Sequence, residues 1–298
     1  MRLSIILTSL AILTLACSTS QPDLVVMKQR LEKRIAAAPE GARVGLAFEE
    51  LSTGATVFIN ETEQMHAAST MKVPVMIEVY RQAAEGRFAL TDSLPVTNRF
   101  RSIVDGSPYS INVSEDSDST VYHLIGKRTT IYNLTYQMIT VSSNLATNIL
   151  IELVDAEKVM ATLKTVGVED MQVLSGVEDL KAYHRGLNNT TNAVDMMRVM
   201  SAIARNAVVS PDACKEMRKI LLDQQFRNKI PAKLPEEVKV AHKTGSITRI
   251  NHDCAIVYLP DGRSYSLTIL TKGIDNHDES AALAAELSWM VYDAMTRY

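Results

Sequence analysis

Strand-like alternation of apolar residues is confined to the two ends of this chain, with a long helical stretch between them. That order limits the fold more than any other feature. Residues 23–37 place Leu24, Met27, Leu31 and Ile35 three and four apart, as one face of a helix requires. Strand patterns at 44–49 and 55–59 flank Leu51-Ser52-Thr53-Gly54, which reads as a hairpin turn. Helical spacing then recurs at 71–85, 131–139, 145–153, 156–166 and 193–207. The last of these carries Met196, Met197 and Met200, which at that spacing are core filling. Strand patterns return at 238–242, 252–259 and 264–271, the last two joined through Pro260-Asp261-Gly262, and 278–296 closes the chain as a helix. Strands split between the two ends can share one sheet, with the terminal helices on it and the middle helices as a second lobe. The expected fold is α+β, an α/β sandwich: an antiparallel sheet of about five strands flanked by terminal helices, beside an all-helical subdomain. The α/β part is expected over about 23–73 and 208–298 and the helical part over about 74–207. Clefts between such lobes are the usual place for a ligand.

Residues 90–128 are polar and irregular. There Asp105-Gly106-Ser107-Pro108 and Glu115-Asp116-Ser117-Asp118-Ser119 read as loops, the acidic run as a solvated one. With 31 Lys+Arg against 34 Asp+Glu, the chain has no basic excess for wrapping nucleic acid, so that class of partner is excluded. Hydrophobic residues at 46% and charged residues at 22% are those of a folded globular chain, not a disordered one.

Arg2 followed by the apolar run at 3–16 has the form of an export signal and is too short to span a bilayer. It ends Thr14-Leu15-Ala16-Cys17, which resembles a bacterial lipoprotein signal, where the Cys is lipidated. Ordinary cleavage near Ala16 is the alternative. Residues 1–17 are therefore set apart from a domain at 18–298, and the expected location is the periplasm or cell envelope, with membrane contact only through an anchor at Cys17. Beyond the leader only Cys214 and Cys254 remain; they are read as two buried thiols, with pairing left open. The six histidines are scattered singly and no Cys/His spacing suggests zinc, so neither a metal nor another cofactor is expected.

Three short motifs carry the chemistry. Ser69-Thr70-Met71-Lys72 puts a hydroxyl and an amine on one helix face, and a buried amine can take the proton that makes serine a nucleophile. Ser142-Ser143-Asn144 sets a hydroxyl and an amide in a short turn between two apolar helices. Ser110-Ile111-Asn112 has the same form but falls in the polar loop. Lys243-Thr244-Gly245-Ser246, read as ending the strand at 238–242, supplies a cation, two hydroxyls and a glycine that admits close backbone approach. That set suits a substrate carboxylate beside an oxyanion.

With these motifs in this order, the chain resembles the penicillin-recognising serine enzymes, and the class A β-lactamases most closely. The likeness extends over GLAFEELSTGATVFINETEQMHAASTMKVPV, SSNLATNILIEL, NNTTNAVDMMRVM and AHKTGS. It implies that Ser69 is the acylated nucleophile, Lys72 its proton acceptor and Ser142 the donor to the leaving nitrogen. Asn144 would hold the substrate amide and Lys243, Thr244 and Ser246 its carboxylate, while the backbone N–H groups of Ser69 and Ser246 form the oxyanion hole, beside Gly245. The implied activity is hydrolysis of a β-lactam by a monomer. The implied alternatives are a D-Ala-D-Ala peptidase acting on a peptidoglycan stem peptide, which β-lactams acylate and do not leave, and a cell-wall sensor without turnover.

Two departures from the family stand out. The deacylating Glu of that family lies in a Glu-x-x-Leu-Asn string that this chain lacks; Glu178 has the matching spacing and is the candidate base, or else a loop acid beside Lys181. Ser143 stands where the family has Asp. Arg249 is the candidate for a further cation at the carboxylate, or else a surface arginine, and His66 and His242 are read as packing residues, there being no GxSxG elbow for a Ser–His pair.

Overall fold

The computed structural model describes residues 23–297. The export segment and Cys17 lie outside these residues. Asp23 accepts from the Val25 and Val26 N–H groups and so opens helix α1 (Leu24–Ala36). Strands β1 (Arg43–Glu50), β2 (Thr56–Ile59), β3 (Lys239–Ile247), β4 (Ile250–Tyr258) and β5 (Ser264–Lys272) form one sheet in the order β2-β1-β5-β4-β3. Every pairing in it is antiparallel, as expected of strands split between the chain ends. One face carries Leu46, Phe48, Val257, Leu267 and Ile269 against Leu31 of α1 and Leu287 of the closing helix α9 (His277–Thr296). Removing side chains of this size from water contributes about 1.5–3 kcal/mol each, which is why the two terminal helices stay on the sheet.

The second lobe is built around α2 (Lys72–Ala84), whose residues are buried on nearly every side. Pro74 falls in its first turn, where a missing N–H leaves no helical bond unmade. Around it stand α3 (Ile131–Thr140), α4 (Asn144–Val154) and α5 (Ala156–Lys164). Beyond the short α6 (Leu180–His184), α7 (Ala193–Ala204) lies against the sheet, with Ala193, Val194 and Met197 meeting Ala47 and Leu270. Helix α8 (Pro211–Leu222) comes after residue 207, yet Cys214, Met217, Ile220 and Leu221 share the helical lobe's core with Met76, Leu134 and Ile139.

Two expectations are corrected. The segment 90–128 is not one irregular loop: residues 93–95 pair with 128–130 and 100–101 with 108–109, and Val96, Phe100, Ile111 and Val121 are buried. Sparse apolar residues there anchor short elements that no periodicity announces. The Lys243–Ser246 motif does not end a strand either, since β3 runs on to Ile247, pairing Lys243 with Cys254, Gly245 with His252 and Ser246 with Asn251. Cys214 and Cys254 are buried and unpaired, in keeping with the buried-thiol reading. Their thiols donate to the carbonyls of Val208 and Lys243.

Candidate active site

Edge strand β3 faces a single turn at Ala68–Met71 that leads into α2. Gly245 makes the approach possible: a Cβ there would stand 3.0 Å from the Ser69 nitrogen and 3.1 Å from that of Thr70. The contact sets the backbone of Ser69 beside the backbone at Ser246. Ala68, just before Ser69, has φ +47, a left-handed conformation that costs a residue with a Cβ about 1–3 kcal/mol.

The turn between α3 and α4 supplies the second group. Ser142 has φ +60 and is buried, which aims its side chain back between the lobes. Its Oγ accepts from Lys72 Nζ at 3.2 Å and from Lys243 Nζ at 3.0 Å. Lys72 also donates to the Ser142 carbonyl at 2.6 Å and to Asn144 Oδ1 at 2.8 Å, and Lys243 to the Thr244 carbonyl at 2.7 Å. Three acceptors match the three hydrogens of a Lys72 ammonium, and none of these bonds goes to the Ser69 hydroxyl. Burial lowers the Lys72 pKa to about 7 against the opposing attraction of Asp116 and Glu178, so the neutral amine is accessible at neutral pH. Lys243 is lowered well below its ordinary value by burial and by the neighbouring Lys72 charge.

A pocket of about 480 Å³ opens over this cluster, and Ser69, Asn144, Glu178 and Ser246 line it, with Lys72, Ser142 and Lys243 buried behind them. Glu178 and Ser69 thus line the same pocket. Glu178 has φ +63 and accepts from Asn144 Nδ2 at 3.4 Å. Partial burial and the charge of Glu115 raise its pKa, with Asp116 adding to the rise and Lys72 opposing it. Glu178 is exposed, as the alternative of a loop acid requires, while Lys181 is bonded to Asp105 and Ser107 at 2.8 and 2.7 Å. The loop that carries Glu178 is held on both flanks. Asn148 exchanges two bonds with Val177, Asn189 ties Leu174 and Ser175, and Asp179 accepts from Ser102 and from the Ile103 N–H.

The acidic run read as a solvated loop is corrected here. Asp116 accepts from the N–H groups of Asn144 and Leu145 at 2.8 to 3.0 Å and from the Tyr122 hydroxyl at 3.0 Å. Ser143 caps α4 through the Ala146 N–H. The start of α4 is thus held by a carboxylate reaching in from residue 116 together with the Ser143 hydroxyl. Sequence offers no signal for this, because a loop acid's spacing does not say which turn it meets. Lys229 was missed for the same reason: it is buried, donates to Ser246 Oγ at 3.2 Å, and adds a cation beside the motif. His252 is a third. It is neutral, with Nε2 donating to the His66 carbonyl and Nδ1 accepting from the Thr271 N–H, and burial lowers its pKa to about 4.

Other candidates are placed more simply. Ser110-Ile111-Asn112 serves its own loop, where Asn112 caps a short turn at Val113–Glu115. His66 accepts from the Ala68 N–H and lines the pocket, while His242 of β3 pairs with Asp253 of β4, both buried. Thr244 is buried in β3. Arg249 is not part of the wall around Ser69: its guanidinium meets Asp275 and the Gly273 carbonyl and lines a neighbouring cavity. Among the described residues no three His, Cys, Asp or Glu side chains converge as a metal would require, and no helix is long and apolar enough to cross a membrane.

Comparison with known proteins points the same way. The sequence pattern of a family described as "Beta-lactamase enzyme family" matches residues 27–295. A β-lactamase of Rhodobacter capsulatus is 31% identical over 175 residues, covering 58% of this chain; the match spans only about half, 55%, of that relative. β-Lactamase VEB-1 of Pseudomonas aeruginosa is 21% identical over 98% of this chain and 97% of its own length. Among solved structures, a mutant of PBP-A in an acyl-enzyme complex with penicillin G is 25% identical, with a TM-score of 0.79 over 92% of this chain and 98% of that one.

Proposed function

The chain belongs to the β-lactamase enzyme family, and we propose that it is a class A-like serine β-lactamase that hydrolyses its substrate through an acyl-enzyme on Ser69. One observation carries the reading: the Lys72 and Lys243 amines converge on Ser142 Oγ behind a pocket that both Ser69 and Glu178 line. Neutral Lys72 takes the Ser69 proton as Oγ attacks the lactam carbonyl, and the N–H groups of Ser69 and Ser246 hold the oxyanion. With both lone pairs of Ser142 Oγ engaged by lysines, its own proton is what it offers to the nitrogen as the C–N bond breaks. Lys72 then returns a proton to Ser142. In the second step Glu178 takes a proton from water, whose oxygen attacks the ester, and Ser69 leaves with that proton.

Lys243, Lys229 and the Ser246 hydroxyl, which must release its bond to Asn251 Oδ1 in order to donate, form the seat for the substrate carboxylate, Lys229 taking the part expected of Arg249. Asn144 holds the substrate amide. Leu180, Tyr183 and Leu187, exposed in the pocket lining, offer apolar surface to its acyl side chain. No metal or organic cofactor enters any of these steps. Export by residues 1–17, an anchor at Cys17, a cell-envelope location and a monomeric state complete the reading.

The test is a time course of the purified protein with a chromogenic cephalosporin, followed in parallel by intact mass. Sustained turnover supports a lactamase. A single burst with a lasting adduct supports the peptidase alternative, and neither turnover nor adduct leaves a binding or sensor domain.

A further inference from the structure

A second cavity, of about 700 Å³, adjoins the catalytic pocket and shares His66, Tyr183, Asn188, Ile247 and Thr248 with it. It lies past the end of β3, on the side away from Ser142 and Lys243. Its lining carries three cations, Arg43, Lys272 and Arg249, and no carboxylate. Arg43 and Lys272 are directly opposed across β1 and β5, a like-charge pairing that Glu63 offsets at Arg43 alone. Arg43 has Glu63 and Arg249 has Asp275 as partners outside the lining, but Lys272 joins none of the ion pairs among the described residues.

Arg249 is also held in place. It sits at the two-residue turn between β3 and β4 with φ +60, where Gly or Asn is the ordinary choice. Its carbonyl accepts from the Gly273 N–H at 2.8 Å and its Nη2 donates to the Gly273 carbonyl at 3.1 Å. With Nε on Asp275, most of its N–H donors stay unused. A guanidinium fixed at a strained position, beside a lysine with no counterion, is a preorganised anion seat.

Resting on the proposal that acylation occurs at Ser69, we infer that this cavity is a subsite for a second anionic group, a carboxylate at the end of the substrate's acyl side chain. The Lys243 and Lys229 seat takes the first carboxylate; Arg249, Lys272 and Arg43 take the second. The enzyme then favours dianionic substrates over monoanionic ones of the same shape.

The experiment uses a matched pair, adipoyl-6-aminopenicillanic acid and its side-chain monomethyl ester, which differ by one charge. Binding is measured by calorimetry to the Ser69→Ala protein, and kcat/KM on the native protein. The diacid is expected to bind roughly five-fold more tightly than the ester, the preference fading at high salt. Lys272→Gln should remove most of the preference and leave hydrolysis of the ester unchanged. Equal binding of diacid and ester overturns the subsite, whatever the turnover. A preference that survives both Lys272→Gln and Arg43→Gln overturns the assignment to this cavity. A charge preference with no acylation of native protein keeps the subsite and refutes the lactamase reading; absence of binding by either compound refutes both.

Discussion

Gly245→Ala tests how the nucleophile is held. The added Cβ would stand 3.0 Å from the Ser69 nitrogen, 3.1 Å from the Thr70 nitrogen and 3.2 Å from the Ala68 Cβ. Two of these atoms are backbone in a tight turn, so relief requires β3 and the turn to separate by a few tenths of an ångström. Overpacking of this kind costs about 1–3 kcal/mol of stability. The kinetic effect should be of comparable size, because the atom displaced is the nitrogen proposed to donate to the oxyanion. Complete loss of such a donor slows reaction about 10²- to 10³-fold, and a partial misalignment about ten- to a hundred-fold. Gly262→Ala is the control. Gly262 has φ +90 in the turn between β4 and β5, with open space around it, so its substitution strains the backbone far from the cleft. Rapid-quench mass spectrometry of the penicillin adduct gives the acylation rate of both variants. The expected result is slow acylation in Gly245→Ala and native acylation in Gly262→Ala, with both melting lower. Native acylation by Gly245→Ala would refute the claim that β3 and Ser69 are held by backbone contact at that point.

Acylation should rise with pH through about 7 as Lys72 loses its proton, then level off; an acylation rate flat between pH 6 and 8 would contradict the role of its amine. Asp116→Ala leaves the Asn144 and Leu145 N–H groups unmet, so a loss of about 1–2 kcal/mol is expected in denaturant unfolding. It also removes a charge that favours the Lys72 ammonium, so the acylation midpoint should move to lower pH; an unmoved midpoint would speak against the coupling. His252 binds no proton in the fold until about pH 4 but does so near 6.5 when unfolded, so its contribution is intact above 6.5 and is lost as pH falls toward 4. The interval corresponds to about 3 kcal/mol, and His252→Gln should flatten the acid limb of stability by roughly that amount. An unchanged limb would place the acid sensitivity elsewhere.

Most of the architecture was legible because it rests on local periodicity. Leu24, Met27 and Leu31 announce α1, and the alternation of Tyr265, Leu267 and Ile269 announces β5, whatever else the chain does. The motif residues were legible because reaction chemistry fixes their types: a serine needs its amine, and an oxyanion site needs a glycine such as Gly245. What stayed hidden depends on contacts between segments far apart in the chain. Asp116 is 28 residues from Asn144, its backbone partner, and stands in a run of acids with no pattern to distinguish it. Lys229 reads as one more polar residue before β3 until the fold buries it beside Ser246. The left-handed conformations of Ala68, Ser142 and Glu178 break the propensity of their residue types, so no local rule predicts them. They are imposed by the packing that aims the site.

Glu178 is proposed to turn an acylating serine into a hydrolase, and intact mass of the native and Glu178→Gln proteins during exposure to penicillin measures that role. Native protein should stay largely unmodified while substrate disappears, and Glu178→Gln protein should accumulate one adduct on Ser69 with turnover reduced about 10²-fold or more. Equal turnover by the two proteins, or a lasting adduct on the native one, would contradict it.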